Sequence, residues 1–156
     1  MRKLEGRVAL VTGASRGLGK AMALALGEAG ARLALVARTV QQLEQAASEA
    51  RALGAEAEVF PADVSDEGAV AQLEQVVIGK FGRLHILINN AGINLLKPVT
   101  EFTLGEWRQL LDTNLSGAFL MCRAFLPHMK GHGYGRIINV CSTMSHVALP
   151  HRTAYC

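Results

Sequence analysis

Five short, mostly apolar runs, separated by longer amphipathic stretches, constrain the fold of this chain more than any other feature. The runs occupy residues 8–11, 33–37, 57–61, 84–88 and 137–140. Short runs rich in Val, Leu and Ile are typical of strands that a parallel sheet buries on both faces. The pattern predicts an α/β fold, a doubly wound parallel sheet of about five strands joined by right-handed crossovers.

The amphipathic stretches predict the crossover helices. The first is expected over 20–29, before Gly30, and the second over 41–53, before Gly54, since glycine commonly follows a helix end. The third is expected to begin at Ser65. Its predicted buried face consists of Ala69, Val70, Leu73, Val76 and Val77.

The longest predicted helix begins at a capping box formed by Thr103 and Glu106 and runs toward Pro127. One stripe of this helix is expected to face the core, and only one of its members is polar. The stripe consists of Trp107, Leu111, Asn114, Ala118, Cys122 and Phe125.

A glycine-rich segment, Thr-Gly-x-x-x-Gly-x-Gly, lies between the first apolar run and the first helix. Backbone N–H groups at a helix start lack partners within the helix and lie at the positive end of its dipole. A pyrophosphate can bind there if no Cβ blocks it, so the segment predicts a phosphate cradle, with an ordinary glycine-rich turn as the alternative. Its residues are Thr12, Gly13, Ser15, Arg16, Gly17, Leu18 and Gly19.

This segment resembles the cofactor loop of the short-chain dehydrogenase/reductase family. Two further matches extend the resemblance over the whole chain: Asn89-Asn90-Ala91-Gly92 follows the fourth run, and Ser142 stands thirteen residues before Tyr155. The resemblance implies a Rossmann-like sheet in which the fourth strand lies beside the first. It also implies that Asn90, Ala91 and Gly92 line the cofactor, although paired asparagines before Ala-Gly also suit a turn.

The resemblance implies three catalytic residues. Tyr155 would exchange a proton with the substrate oxygen, and Ser142 would hold the carbonyl. Asn114 would join the catalytic hydrogen-bond network, and its alternative is a buried amide that binds backbone. The family also places a Lys four residues after the Tyr, which lies beyond Cys156.

The expectation is therefore a single dinucleotide-binding domain over 1–156 that is incomplete on its C-terminal side and has low activity. The complete protein would interconvert an alcohol and a carbonyl by hydride transfer. The alternative is a non-catalytic dinucleotide-binding or interaction protein, which the missing Lys favours and the three retained residues disfavour.

Two arginines predict the cofactor. Arg38 directly follows the second run, in the region where NAD-preferring proteins usually offer an acidic residue, and the adjacent position is Ala37. A guanidinium can hold the 2′-phosphate of NADP, and Arg16 could add a second cation. NADP is therefore predicted, with NAD possible, and a solvated surface arginine is the alternative. The resemblance also implies that Asp63 and Val64 contact the adenine, although Asp63 could equally serve a turn or cap.

The predicted partner is a small alcohol or carbonyl substrate. The sequence resembles gluconate 5-dehydrogenases at Asn94, Lys97, Pro98 and Met144. The glycine loop and residues 137–140 are equally similar to those of 3-oxoacyl-acyl carrier protein reductases. A sugar acid or polyol and a 3-oxoacyl thioester therefore remain alternatives. The family resemblance also suggests a homo-oligomer.

Composition argues against other classes of partner. The net charge of +3 comes from scattered Lys and Arg without a basic run among aromatics, so no nucleic acid is expected. No apolar stretch approaches the roughly 20 residues of a membrane span, and the three cysteines lack metal-type spacing. A cytoplasmic protein without a membrane partner is expected. His128 and His132 have the spacing of a helical metal pair but no third ligand, so no metal site is predicted.

Overall fold

Five strands form one sheet, with all neighbouring strands parallel. The structure, a computed structural model, describes residues 2–152 and 154–156. The order β3-β2-β1-β4-β5 confirms the predicted doubly wound class, and the winding reverses between β1 and β4. The strands are β1 Val8–Thr12, β2 Arg32–Ala37, β3 Ala57–Pro61, β4 Ile86–Asn89 and β5 Arg136–Asn139.

Helices cover both faces of the sheet. The α-helices are α1 Gly17–Glu28, α2 Val40–Ala52, α3 Glu67–Phe81, α4 Leu104–Leu111 and α5 Gly117–Phe125. A π-helical turn, Asp112–Ser116, joins α4 to α5, and short 3-10 helices occupy Val99–Glu101, Leu126–His128 and Thr143–Ser145. None of the helices in the described part of the chain has the length and apolar character that crossing a membrane requires.

Two apolar clusters, one on each face of the sheet, form the core. On one face, residues of β1 and β2 pack with the buried alanines of α1 and α2. On the other, Val70, Leu73 and Val77 of α3 pack with Met121 and Phe125 of α5. Both faces of β1 are buried, which explains its continuous apolar sequence.

The first three helices follow the prediction with three corrections. Helix α1 begins at Gly17, so the glycine segment itself provides its first turn. Helix α3 does not begin at Ser65, because Asp66 caps it by accepting a hydrogen bond from the N–H of Ala69. Val76 is 48% exposed, so its predicted place on the buried face was wrong.

The predicted stripe of the longest helix is interrupted by the π-helical turn. The capping box of Thr103 and Glu106 is present. An extra residue in the turn shifts the faces of the two halves, so Trp107 is 40% exposed while Leu110 is buried. Phe125, by contrast, is fully buried as predicted.

Strand β5 pairs with β4, and all four of its residues are exposed. Its exposed side chains include Ile137 at 38% and Ile138 at 46%. The carboxyl ends of β1, β4 and β5 lie side by side, so the segments that follow these three strands share one edge of the sheet.

Candidate active site

The loop between β1 and α1 depends on glycines for its backbone conformation and for its close packing. Gly13 and Gly17 have positive φ values of 64° and 56°, which side chains disfavour. A Cβ at Gly19 would collide with the carbonyl oxygen of Gly13 and the side-chain amide of Asn90. Arg16, at the N-cap of α1, makes no capping hydrogen bond with its side chain. The start of α1 therefore keeps its N–H donors without a side-chain cap, as an anion site requires.

Thr12 ties this loop to the segment after β4. Its Oγ1 donates to the carbonyl of Ile88 at 3.2 Å and accepts from the N–H groups of Asn90 and Ala91, each at 3.0 Å. The Asn90 amide in turn donates to the carbonyl of Thr12 at 3.0 Å. Thr12 is 1% exposed, so these bonds are shielded from water.

Replacing Thr12 by valine is expected to lower the free energy of unfolding by about 2–4 kcal/mol. The change keeps the shape but leaves two N–H donors without an acceptor, and each unsatisfied buried group costs about 1–3 kcal/mol. Thr12→Ser keeps the hydroxyl and should cost only about 1 kcal/mol for the lost methyl. Urea unfolding would test this, and equal midpoints for the two variants would contradict it.

Arg38 and Asp63 form the far end of the cleft above β2 and β3. Nη1 of Arg38 lies 3.6 Å from Oδ2 of Asp63. The hydroxyl and N–H of Ser65 donate to Oδ1 of Asp63 at 2.7 Å and 3.0 Å, so the turn that the sequence allowed is present. Burial raises the pKa of Asp63, but the bonds from Ser65 and the charge of Arg38 outweigh it and lower the pKa overall.

The glycine loop, Arg38 and Asp63 lie along one cleft of about 420 Å³. Every predicted cofactor residue except Thr12 lines this cleft, and Thr12 lies in the wall of the neighbouring one. The lining residues among the predicted set are Gly13, Ser15, Arg16, Gly17, Leu18, Gly19, Arg38, Asp63, Val64, Asn90, Ala91 and Gly92.

The three predicted catalytic residues line a second cleft of about 650 Å³. Asn114, Ser142 and Tyr155 approach it from the π-helical turn, the segment after β5 and the C-terminal segment. The two clefts share Leu18, Val64 and the residues 90–93. They therefore meet at the switch point of the sheet, where α/β folds bind ligands.

The hydroxyl of Ser142 has no hydrogen-bond acceptor among the described residues. Its Oγ accepts a hydrogen bond from the N–H of Met144 at 3.2 Å at the start of a 3-10 helix. That bond uses a lone pair and leaves the hydroxyl hydrogen for another acceptor. Tyr155 is half-buried in the same cleft.

Asn114 holds the loop after β4 through both polar groups of its side chain. Its Oδ1 accepts from the N–H of Ile93 at 2.8 Å, and its Nδ2 donates to the carbonyl of Ile93 at 2.9 Å. The side-chain amide of Asn114 thus binds backbone, as in the alternative given for it above, and the backbone that it binds belongs to the loop after β4. Its π-helical turn is a geometry often found at functional sites.

A lysine anchors the segment that follows this loop. Nζ of Lys97 lies 2.6 Å from Oε1 of Glu106 at the start of α4. The backbone N–H of Lys97 donates to the carbonyl of His151 at 2.9 Å. The hydrogen bond from Lys97, then those from Thr103, lower the pKa of Glu106 to about 2. These contacts connect the loop after β4 with the segment that leads to Tyr155.

Sequence reasoning missed a polar contact between the ends of β4 and β5. The amide Nδ2 of Asn89 donates to Oδ1 of Asn139 at 2.9 Å and contacts Sγ of Cys122 at 3.3 Å. Asn94, Asn139 and Ser145 also line the second cleft. A polar residue inside an otherwise apolar run was the available signal for Asn139.

One member of the histidine pair 128 and 132 has a carboxylate partner. His128 contacts Glu74 of α3 at 2.6 Å. Across residues 2–152 and 154–156, no group of three or more His, Cys, Asp or Glu side chains is arranged to hold a metal ion.

Comparison with known proteins identifies similar sequences. Residues 7–156 match the family model described as short chain dehydrogenase. The chain is 40% identical over 154 residues to D-threitol dehydrogenase of Mycolicibacterium smegmatis, covering 99% of this chain and 59% of the relative. It is 39% identical to gluconate 5-dehydrogenase of Gluconobacter oxydans, covering 97% and 59%. The chain therefore spans about three-fifths of the length of these relatives.

Solved structures match equally well. A metagenomic short-chain oxidoreductase in complex with NADP has a TM-score of 0.94 at 40% identity, covering 98% of this chain and 70% of that one. A xylitol dehydrogenase bound to NAD⁺ has a TM-score of 0.93 at 36% identity, covering 98% and 59%.

Proposed function

Because the chain belongs to the short-chain dehydrogenase/reductase family of oxidoreductases, we propose that its protein interconverts an alcohol and a carbonyl with NADP as the preferred cofactor. The observation that carries the proposal is the meeting of two clefts, one lined by a glycine cradle and the other by Asn114, Ser142 and Tyr155. The family resemblance also suggests a homo-oligomer.

The first cleft fits a dinucleotide. Side chains at Gly13 and Gly19 would collide with Asn90 and with loop backbone, so the glycines allow the loop to pack tightly against the Asn90 segment. The uncapped start of α1 would bind the pyrophosphate, and Asp63 and Val64 would lie against the adenosine. The nicotinamide would then extend toward Ser142 and Tyr155.

The proposed chemistry divides between three side chains. When bound, the nicotinamide ring supplies the hydride transfer. Ser142 would donate a hydrogen bond from its hydroxyl to the substrate oxygen and orient it. Tyr155 would pass a proton to that oxygen in reduction or take it in oxidation. Asn114 would act as a positioning residue, since its amide fixes the loop at Ile93.

Arg38 supports the preference for NADP. Its side chain is 63% exposed and has one contact with Asp63, so most of its N–H donors face solvent at the adenosine end. A guanidinium can bind a 2′-phosphate through two parallel hydrogen bonds. Similar proteins are bound to NADP in one structure and NAD⁺ in another, so the preference rests on this chain's own arginine.

The second cleft favours an uncharged polyol as substrate. Its polar lining consists of amides, hydroxyls and a thiol, and among its described lining residues none carries a formal charge. Amides and hydroxyls can both donate to and accept from a polyol, whereas a sugar acid also needs a cation. The names of two similar proteins, D-threitol dehydrogenase and xylitol dehydrogenase, agree with this class.

The complete gene product should oxidise D-threitol or xylitol with NADP at least about tenfold faster, by kcat/KM, than gluconate, and should not reduce a 3-oxoacyl thioester at a comparable rate. Absorbance of the reduced nicotinamide measures turnover, and fluorescence titration measures cofactor binding independently. Cofactor binding without turnover of any substrate would favour a non-catalytic dinucleotide-binding protein.

We propose low turnover for the 156 residues alone, because the lysine that the family resemblance requires is not among them.

A further inference from the structure

Three arginines lie together at the edge of the sheet opposite the clefts. Backbone hydrogen bonds between neighbouring strands bring these segments side by side. The N–H of His85 donates to the carbonyl of Val8, and the N–H of Arg136 donates to the carbonyl of His85. Arg7 precedes β1, Arg83 precedes β4 and Arg136 begins β5. The amino ends of three neighbouring strands therefore carry one arginine each.

A tyrosine holds two of these arginines. The Arg7 guanidinium lies 4.2 Å from the centre of the Tyr134 ring, and the Arg136 guanidinium lies 4.7 Å from it. Stacking on a ring uses the face of a guanidinium and leaves the N–H groups at its edge free to bind an anion. One of these groups, Nη1 of Arg136, donates a hydrogen bond to the carbonyl of Gly135 at 2.8 Å.

The cluster lacks a carboxylate. Elsewhere in the molecule Lys20, Arg32, Arg51, Lys80 and Arg123 each pair with a glutamate. Within the described ranges, no Asp or Glu lies within salt-bridge distance of Arg7, Arg83 or Arg136.

The neighbouring His85 adds another donor without an acceptor. Its Nδ1 accepts the N–H of Val8 at 3.0 Å, so the proton of the neutral ring lies on Nε2, which is buried and has no partner among the described atoms. Burial, and then the charges of Arg83, Arg7 and His132, lower the pKa of His85. The region thus combines positive charge and hydrogen-bond donors with no compensating acceptor.

We propose that Arg7 and Arg136, held by Tyr134, form together with Arg83 a binding site for a soluble phosphoryl anion, separate from the proposed cofactor cleft. Guanidinium groups match the oxygens of a phosphoryl group in pairs, and clustered arginines are a common means of binding it. The site is independent of the proposed oxidoreductase function, since its residues line neither cleft.

Titration of the ¹⁵N-labelled chain with pyrophosphate at low ionic strength tests the site. Saturable shifts are expected at the backbone amides of Arg7, Gly135 and Arg136. Pyrophosphate at the glycine loop would instead shift the amides of residues 13–19, so the spectrum distinguishes the two sites. Arg7→Gln and Arg136→Gln should each weaken binding at the arginine cluster about three- to tenfold. Arg108→Gln removes an exposed arginine that lines neither cleft and should leave binding unchanged.

Three results would overturn the proposal. Sodium chloride at matched ionic strength could reproduce the shifts, which would show screening rather than binding. Arg7→Gln and Arg136→Gln could leave the affinity unchanged while their spectra remain dispersed. Finally, binding only to phosphatidic acid vesicles, with no response to pyrophosphate, would exclude a soluble ligand.

Discussion

Arg38→Asp is expected to reverse the cofactor preference, weakening NADP binding about tenfold to a hundredfold while NAD binding holds or improves. The proposed contact between the guanidinium and the 2′-phosphate is charge-assisted, and such bonds contribute about 1.5–3 kcal/mol, which corresponds to that change in affinity. An aspartate would repel the phosphate and could accept hydrogen bonds from the ribose hydroxyls of NAD. Fluorescence titration with both reduced cofactors measures the two dissociation constants.

The matched control is Arg108→Asp, which makes the same charge change at an exposed arginine of α4 outside both clefts. Its effect should stay within about twofold, because exposed charges at a distance are largely screened. Arg38→Gln separates lost attraction from added repulsion and should give an intermediate loss. An unchanged NADP-to-NAD ratio in Arg38→Asp would show that Arg38 is only a surface charge.

The strands and their parallel arrangement could be predicted from local patterns, whereas their order was implied by the family resemblance. Continuous apolar runs such as that of β1 identify buried parallel strands, and right-handed crossovers then limit their arrangement. The capping box of Thr103 and Glu106 is likewise a local signal, and both of its hydrogen bonds are present. These features involve residues close in sequence, so the sequence displays them directly.

Features that depend on distant partners could not be predicted. The π-helical turn that contains Asn114 shifts the buried stripe of the long helix. The side-chain amide of Asn114 binds the backbone of Ile93, which lies in a loop distant in sequence. The arginine cluster was missed for the same reason, since Arg7 and Arg136 meet only through the sheet.

Tyr155→Phe is expected to lower kcat of the complete gene product by about 10²–10⁴, the usual contribution of a positioned acid or base. The change removes only the hydroxyl that would exchange a proton with the substrate oxygen. The ring would remain in the second cleft beside the segment that carries Ser142. Cofactor affinity should therefore stay within about twofold, which fluorescence titration of the same variant would check.

Ser142→Ala separates proton transfer from substrate orientation. It removes the hydroxyl that accepts the N–H of Met144 and would donate to the substrate oxygen. Its kcat should also fall, but the pH dependence should remain, because the tyrosine would still exchange the proton. Combining both changes should cost less than the sum of the separate losses if the two hydroxyls bind the same oxygen.

Turnover of Tyr155→Phe within about threefold of the parent would contradict the assignment of Tyr155 as the acid and base.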